Sequence, residues 1–317
     1  MKVLLIGSGA VGLAIGAALY DGNIDVDIIA RGNTRESIIK NGIIRRGIFK
    51  TITVPAERVR VFETPNQTGN SGYDYILVCA KTTGNPEIAA ELAKCGQGLL
   101  NDQGGLILCQ NGFRNEQYYF SCLDKQKIYT ASFAIGFKRP EPYISEVTVF
   151  SSPITIGSLF DGDLGTLNPL IEALENGDLP AKSSTEIAKT LWAKMLYNCA
   201  LNPLSAVLHV AYGGLAQSQD AVLIMNQLIE EIFAVIQAAG YSTFWPDAAV
   251  YKKAFYEKIL PPTYQHRSST LQDMERRIKT EIDSLSGVIV ELGREYQVGV
   301  PYNTMIYHMI KTMESLY

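Results

Sequence analysis

The rhythm of apolar positions changes about halfway along this chain. In the first half, apolar residues come in short β-rich runs at 2–6, 26–30, 75–80, 105–109 and 129–134, with helical or polar stretches between them. Such runs, bounded by turn residues and alternating with helices, predict an α/β unit built on a mostly parallel sheet covered on both faces. Residues 147–150 and 154–156, split by Ser151-Ser152-Pro153, predict an antiparallel hairpin added at the sheet edge. From about residue 187 the apolar residues recur every three or four positions instead. That spacing predicts helices over 187–208, 218–239, 247–258, 270–293 and 302–316. Gly213-Gly214, Gly240, Pro246 and Pro261-Pro262 punctuate them. The small, polar stretch 181–185 marks the change. The expectation is therefore an α/β domain over 1–183 followed by an all-α domain over 184–317.

The first strand runs directly into Gly7-Ser8-Gly9-Ala10-Val11-Gly12, which opens the apolar helix 13–20. In this setting the three glycines serve a tight turn, close approach of a pyrophosphate, and close packing of helix on strand. The helix start adds free N–H groups and a partial positive charge for phosphates. A strand before and a helix after make this a Rossmann dinucleotide fingerprint and not a plain glycine-rich turn. The tip of the second strand bears on the cofactor. Folds that take NAD usually carry an acidic residue there for the ribose 2′-hydroxyl. Here Asp25 and Asp27 lie inside the strand and the tip reads Ala30-Arg31-Gly32, which suits the 2′-phosphate of NADP. A solvated surface arginine is the plainer alternative. Two further strand ends lead into polar residues, at Lys81 and at Gln110-Asn111-Gly112. Ligands of open α/β sheets bind outside the carboxyl ends of the strands, so both are expected to border the cofactor.

Composition narrows the range of functions. At 317 residues the chain has room for two domains, and 47% hydrophobic residues supply a sizeable core. A net charge of −4 leaves no basic footprint for nucleic acid or an anionic membrane. The sequence is also read as having no apolar run of membrane-spanning length, and the apolar start at 2–6 as too short for a signal peptide. The five cysteines are scattered, without a C-x-x-C pair, and read as reduced residues of a cytoplasmic protein. Three separated histidines give no legible metal site.

The second half carries its own chemistry. Lys194, Asn198 and Asn202 fall at i, i+4 and i+8 of the predicted helix 187–208, giving a polar row about 12 Å long on an otherwise greasy surface. Buried polar groups need partners, so the row is either an internal hydrogen-bond ladder or the wall of a substrate pocket. Ser269 and Gln272 are spaced as a capping box, and such a helix start could also receive a carboxylate. Were 269–281 one straight helix, Ser269 and Glu281 would stand about 18 Å apart. A shared site therefore needs a break near residues 277–280, with Thr280 capping a second helix. The unbroken apolar spacing of Leu271, Met274, Ile278, Ile282 and Leu285 speaks for continuity, and the point stays open.

In order and spacing these residues resemble the ketopantoate reductase family. The resemblance spans the chain: Gly7-x-Gly9-x-x-Gly12, Arg31, Lys81, Gln110-Asn111-Gly112 with Asn115-Glu116, Lys194-x-x-x-Asn198-x-x-x-Asn202, Ser268-Ser269 with Gln272-Asp273, and Thr280-Glu281-Ile282-Asp283. It implies an N-terminal NADP-binding Rossmann domain, a helical substrate and catalytic domain, and a cleft between them. It implies NADPH-dependent reduction of ketopantoate to pantoate, on the route to pantothenate and coenzyme A; the sequence leaves the choice between monomer and homodimer open. Carried over by position, Lys194 is the proton donor, Glu281 binds the substrate hydroxyl and Ser269 the carboxylate. Asn198 and Asn202 orient substrate and lysine. The resemblance also puts Gly7, Ser8, Gly9, Ala10, Val11, Gly12, Arg31 and Lys81 at the cofactor, with Asn111 and Glu281 where nicotinamide and substrate meet. Two departures stand out. Arg277-Ile278-Lys279 replaces the Gly or Pro that many members carry before Thr-Glu-Ile-Asp, and Asn85 stands near the place of a frequent glutamine. Lysine suits the chemistry, since hydride addition builds negative charge on the carbonyl oxygen and an ammonium answers it. A Lys194–Glu281 pair of purely structural purpose is the competing use of those residues. The alternatives at the level of function are a reductase of another branched 2-oxo acid and a non-catalytic NADP sensor.

Overall fold

Val3 and Leu5 point to one side of the first strand and Leu4 and Ile6 to the other, and all four are buried. A strand covered on both faces needs helices above and below it, and this sets the architecture of the first half. The computed structural model describes residues 1–69 and 72–317. The chain forms two compact units, Met1–Gln110 with Asn115–Ile187, and Asn111–Arg114 with Ala188–Tyr317.

The first unit runs β1 (Lys2–Ile6), α1 (Ala10–Asp21), β2 (Asp25–Ile29), α2 (Gly32–Asn41), β3 (Ile43–Gly47), β4 (Ile52–Val54), β5 (Arg60–Phe62), β6 (Tyr73–Val78), α3 (Asn85–Cys95), β7 (Leu100–Leu108), β8 (Ile128–Glu141), β9 (Ile144–Ser158), α4 (Asn168–Asn176) and β10 (Ala181–Ser183). Its sheet has the order β4-β3-β9-β8-β7-β6-β1-β2-β5, with β10 beside β9. The five strands β7-β6-β1-β2-β5 pair in parallel, so the carboxyl ends of β1, β2 and β6 come out along one edge. Val3, Leu5 and Val26 pack with residues of α1 and α4 on one face, while Leu4, Ile6 and Ile76 pack with α3 on the other. This is a Rossmann-like mixed α/β sheet. Asp27, inside β2, is fully buried and takes hydrogen bonds from Tyr73 and Arg60.

After Ile187 all regular elements among the described residues are helical: α5 (Ile187–Leu208), α6 (Tyr212–Gln217), α7 (Gln219–Ala238), α8 (Ala248–Ala254), α9 (Ser269–Glu275), α10 (Ser286–Glu295) and α11 (Pro301–Ser315). α8 passes into one π-helical turn at Phe255–Ile259. α7 contradicts one expectation. It is 20 residues long with a mean hydropathy of 1.5, long and apolar enough to cross a membrane. Yet its Glu231 is buried and accepts from the Tyr302 and Asn303 N–H groups, capping α11 within this unit.

Two predicted elements are corrected. The runs 147–150 and 154–156 are not two arms of a hairpin but parts of one strand, β9, antiparallel to β8. The turn lies at Pro142-Tyr143, between the paired Glu141 and Ile144. Pro153 sits where the β8–β9 register shifts between Ser132 and Ala134, a position at which the ladder loses no proline N–H. The helix predicted over 270–293 is interrupted: α9 ends at Glu275, a short 3-10 turn spans Ile282–Ser284, and α10 starts at Ser286. Arg277 adopts a left-handed φ of 55° and Ile278 is 44% exposed, so the apolar spacing continued through a residue that faces solvent.

Candidate active site

In the first unit, the glycine turn is shaped by steric necessity. Gly7 has φ +100°, and a Cβ there would lie 2.4 Å from the Ala80 nitrogen. A Cβ on Gly12 would lie 2.0 Å from the Gly7 oxygen, so α1 can approach β1 only without one. Gly9 differs. A Cβ there meets nothing within 4 Å, and the residue lines a cavity of about 280 Å³ together with Gly7, Ser8, Ala30 and Arg31. No side chain caps the start of α1, where Ala10 and Val11 form the first turn. That is the arrangement in which a bound anion satisfies the first N–H groups. The space over Gly9 and the uncapped helix fit a dinucleotide pyrophosphate.

Arg31 leaves the end of β2 into the same cavity, but it is not alone there. Its Nη1 lies 2.7 Å from Glu87 and its Nη2 2.7 Å from Glu91, both on α3 and both lining the cavity. Thr34 and Arg139 complete that wall, with Arg139 donating to the Thr34 hydroxyl. None of these four was singled out from the sequence. The i, i+4 spacing of Glu87 and Glu91 was visible, but nothing local says that this face of α3 meets Arg31. Lys81 is exposed at the end of β6, between Ala80 and Gly84, which line the cavity. Asn85, fully buried, organises the next strand end: its Oδ1 accepts from Gln110 (2.7 Å) and Tyr119 (2.9 Å), and Gln110 also donates to the Ala80 carbonyl (2.8 Å).

In the second unit, α5 carries Lys194, Asn198 and Asn202 as the sequence spacing requires. Lys194 is half-buried. Loss of water around its ammonium pulls its pKa down to about 8, and the nearby Glu281 carboxylate partly opposes that fall. Glu281 also accepts from the Asn111 amide at 3.4 Å. The flanks of Glu281 are tied down: Thr280 donates from its N–H and hydroxyl to Glu314, and Asp283 accepts from Tyr307 and Lys311, all on α11. The Thr280 hydroxyl in turn accepts from the Ile282 N–H at the short helical turn, so the chain does break before Glu281. Asn111 is held from its own side. The Phe113 N–H donates to the Ser284 carbonyl, the Phe113 ring packs on Trp192 at 4.9 Å, and Arg114 pairs with Glu291 and Glu295 of α10. Lys194, Glu281 and Asn111 thus form one polar cluster.

The other residues expected here divide. Asn198 is buried on α5. Asn202 is buried with its Oδ1 taking the Tyr212 hydroxyl proton and its backbone carbonyl that of Ser268, so the lower end of the row is a ladder within the unit. The helix cap is displaced by one residue: Ser268, not Ser269, accepts from the Leu271 N–H, while Gln272 donates to the Arg267 carbonyl. Ser269 is left exposed as the first residue of α9.

One chain that carries both a glycine-turn α/β unit and a helical unit half-burying a lysine with a carboxylate for counter-charge has the parts of an oxidoreductase of the dinucleotide-fold class. Comparison with known proteins carries this further. Residues 3–160 match the family described as ketopantoate reductase PanE/ApbA, and residues 186–314 match its C-terminal domain. A 2-dehydropantoate 2-reductase of Aquifex aeolicus is 32% identical over 316 residues, covering 99% of this chain and 97% of the relative. That of Archaeoglobus fulgidus is 25% identical over 314 residues, covering 99% and 98%. Among solved structures, a ketopantoate reductase of Ralstonia eutropha superposes with a TM-score of 0.84 at 27% identity over 99% of each chain. D-mandelate dehydrogenase in complex with NADH shares the fold at a TM-score of 0.84 and 20% identity, again over 99% of each chain. This chain belongs to the ketopantoate reductase family.

Proposed function

We propose that this protein reduces the 2-oxo group of ketopantoate to give pantoate, with NADPH as reductant, as a cytoplasmic enzyme of the route to pantothenate and coenzyme A. The observation that carries the reading is the desolvated Lys194 ammonium, held with Glu281 and Asn111 in one cluster. When bound, the reduced nicotinamide supplies a hydride to the carbonyl carbon. Lys194 then answers the charge that develops on the carbonyl oxygen and delivers its proton there. A group with a pKa near 8 is mostly protonated at neutral pH, yet gives up its proton more readily than an ordinary lysine. Glu281 keeps the ammonium charged and accepts from the substrate hydroxyl. Asn111 fixes the orientation of Glu281 without competing for the proton. Asn198 lines the site, Asn202 braces α5, and Ser269, with its side chain not spent on capping, takes the substrate carboxylate. At the cofactor, the turn 7–12 receives the pyrophosphate, Arg31 the 2′-phosphate, and Lys81 borders the ribose side. The names of the relatives support the substrate, and Arg31 at the end of β2 supports the cofactor. All five cysteines are free thiols, which suits the compartment.

The test is loss of reduced-nicotinamide absorbance with purified protein and ketopantoate, run with NADPH and with NADH. Turnover with NADPH supports the reading, and background rates with every 2-oxo acid would favour a dinucleotide sensor. Substrate identity has its own measurement. 2-Oxoisovalerate lacks the hydroxyl assigned to Glu281, so its kcat/KM should fall by about two orders of magnitude or more relative to ketopantoate. Equal values would move the assignment to another branched 2-oxo acid.

A further inference from the structure

Each nitrogen of the Arg31 guanidinium already meets an acceptor inside the first unit: Nη1 the Glu87 carboxylate, Nη2 that of Glu91, and Nε the Glu63 carbonyl. The two glutamates stand four residues apart on α3, so one helix face presents both. They line the same cavity as Gly9 and Arg31, and the charged side chains of that wall, Arg31 and Arg139 against Glu87 and Glu91, cancel. A ribose 2′-phosphate brings nearly two negative charges to this place, whereas a ribose 2′-hydroxyl brings none and can donate to a carboxylate. A site built only to favour the phosphate would leave Arg31 free of acidic neighbours.

We propose that Glu87 and Glu91 set how strongly this protein discriminates between dinucleotides with and without a 2′-phosphate: they hold Arg31 in the free protein and oppose the phosphate in the bound one. The inference rests on the dinucleotide reading of the first unit, and it goes beyond that reading by predicting a muted preference for NADPH. Exposed ion pairs are weak enough to exchange, so a phosphate can draw Arg31 away from the acids. The carboxylates stay nearby as like charges and reduce its gain. Arg31 is the attractive element of the site and the glutamate pair the repulsive one.

Calorimetric titration with adenosine 2′,5′-bisphosphate and with 5′-AMP tests this without any turnover. The proteins are the wild type, Glu87→Gln, Glu91→Gln and the double variant, in which amides keep the shape and remove the charge. The double variant should bind the bisphosphate about tenfold more tightly, with a gain that shrinks as ionic strength rises. Binding of 5′-AMP should stay the same or weaken. An affinity ratio for the two probes that is equal in all four proteins overturns the inference while leaving the dinucleotide site intact. Failure of both probes to bind the wild type removes the dinucleotide reading itself, and the inference with it.

Discussion

At Lys194 two effects oppose each other, and desolvation wins. Burial lowers the pKa to about 8, while the Glu281 carboxylate restores only part of the loss. The sign of the pH dependence follows. Reduction needs the protonated amine, so kcat for ketopantoate should be level below about pH 8 and fall above it. Oxidation of pantoate needs the neutral amine and should rise through the same range. Glu281→Gln removes the carboxylate that opposes the fall and should move the alkaline limb to lower pH, in addition to any loss of substrate affinity. A limb that stays fixed in this variant, read from full pH–rate profiles, would separate Glu281 from the lysine. At this scale the sequence was largely legible. The i, i+4, i+8 spacing placed Lys194, Asn198 and Asn202 on one helix correctly. It could not say that Asn202 is claimed by Tyr212, ten residues on, or that Ser268 replaces Ser269 as the cap. Both depend on which polar groups the packed unit brings within reach.

Among the elements, the glycine turn makes the sharpest prediction, because its glycines serve different purposes. Gly12→Ala places a methyl group against the Gly7 oxygen and should cost about 1–3 kcal/mol, seen as a lower Tm. Gly9→Ala meets open space at a φ of −71° that alanine accepts, so stability should hold or rise by about 0.4–1 kcal/mol. The methyl group then occupies the space assigned to the pyrophosphate, and dinucleotide affinity should fall by about tenfold or more. Unchanged affinity in Gly9→Ala would place the pyrophosphate elsewhere. Long periodic segments such as α5 and α7 were read from the sequence almost to the residue. The short strands β3, β4, β5 and β10 were not: each carries at most two apolar residues, whereas the equally short β1 is a continuous apolar run after Lys2. The interruption after α9 was hidden for the opposite reason: Ile278 kept the apolar spacing alive through a residue that turns to solvent. What breaks the helix is the left-handed Arg277 together with Thr280 and Asp283 tied to α11, and these are tertiary facts.

For the whole molecule, the change of rhythm near residue 187 reports a division of labour. The first unit offers an uncapped helix start and a cavity over Gly9; the second offers Lys194, Glu281 and Asn111. Asn111 shows how the division is made, since the segment Asn111–Arg114 leaves the α/β unit and belongs to the helical one. Alternation of strand and helix told which half was which. It could not foresee that Phe113 and Arg114 of one half are held by Trp192, Ser284, Glu291 and Glu295 of the other half's helices and turns. The division can be tested in a single variant, Lys194→Ala, by measuring kcat with ketopantoate alongside the Kd for NADPH. The account predicts that kcat falls by about 10²–10⁴ while the Kd stays within about twofold of wild type. A kcat within a few-fold of wild type would contradict it and take the lysine out of the reaction.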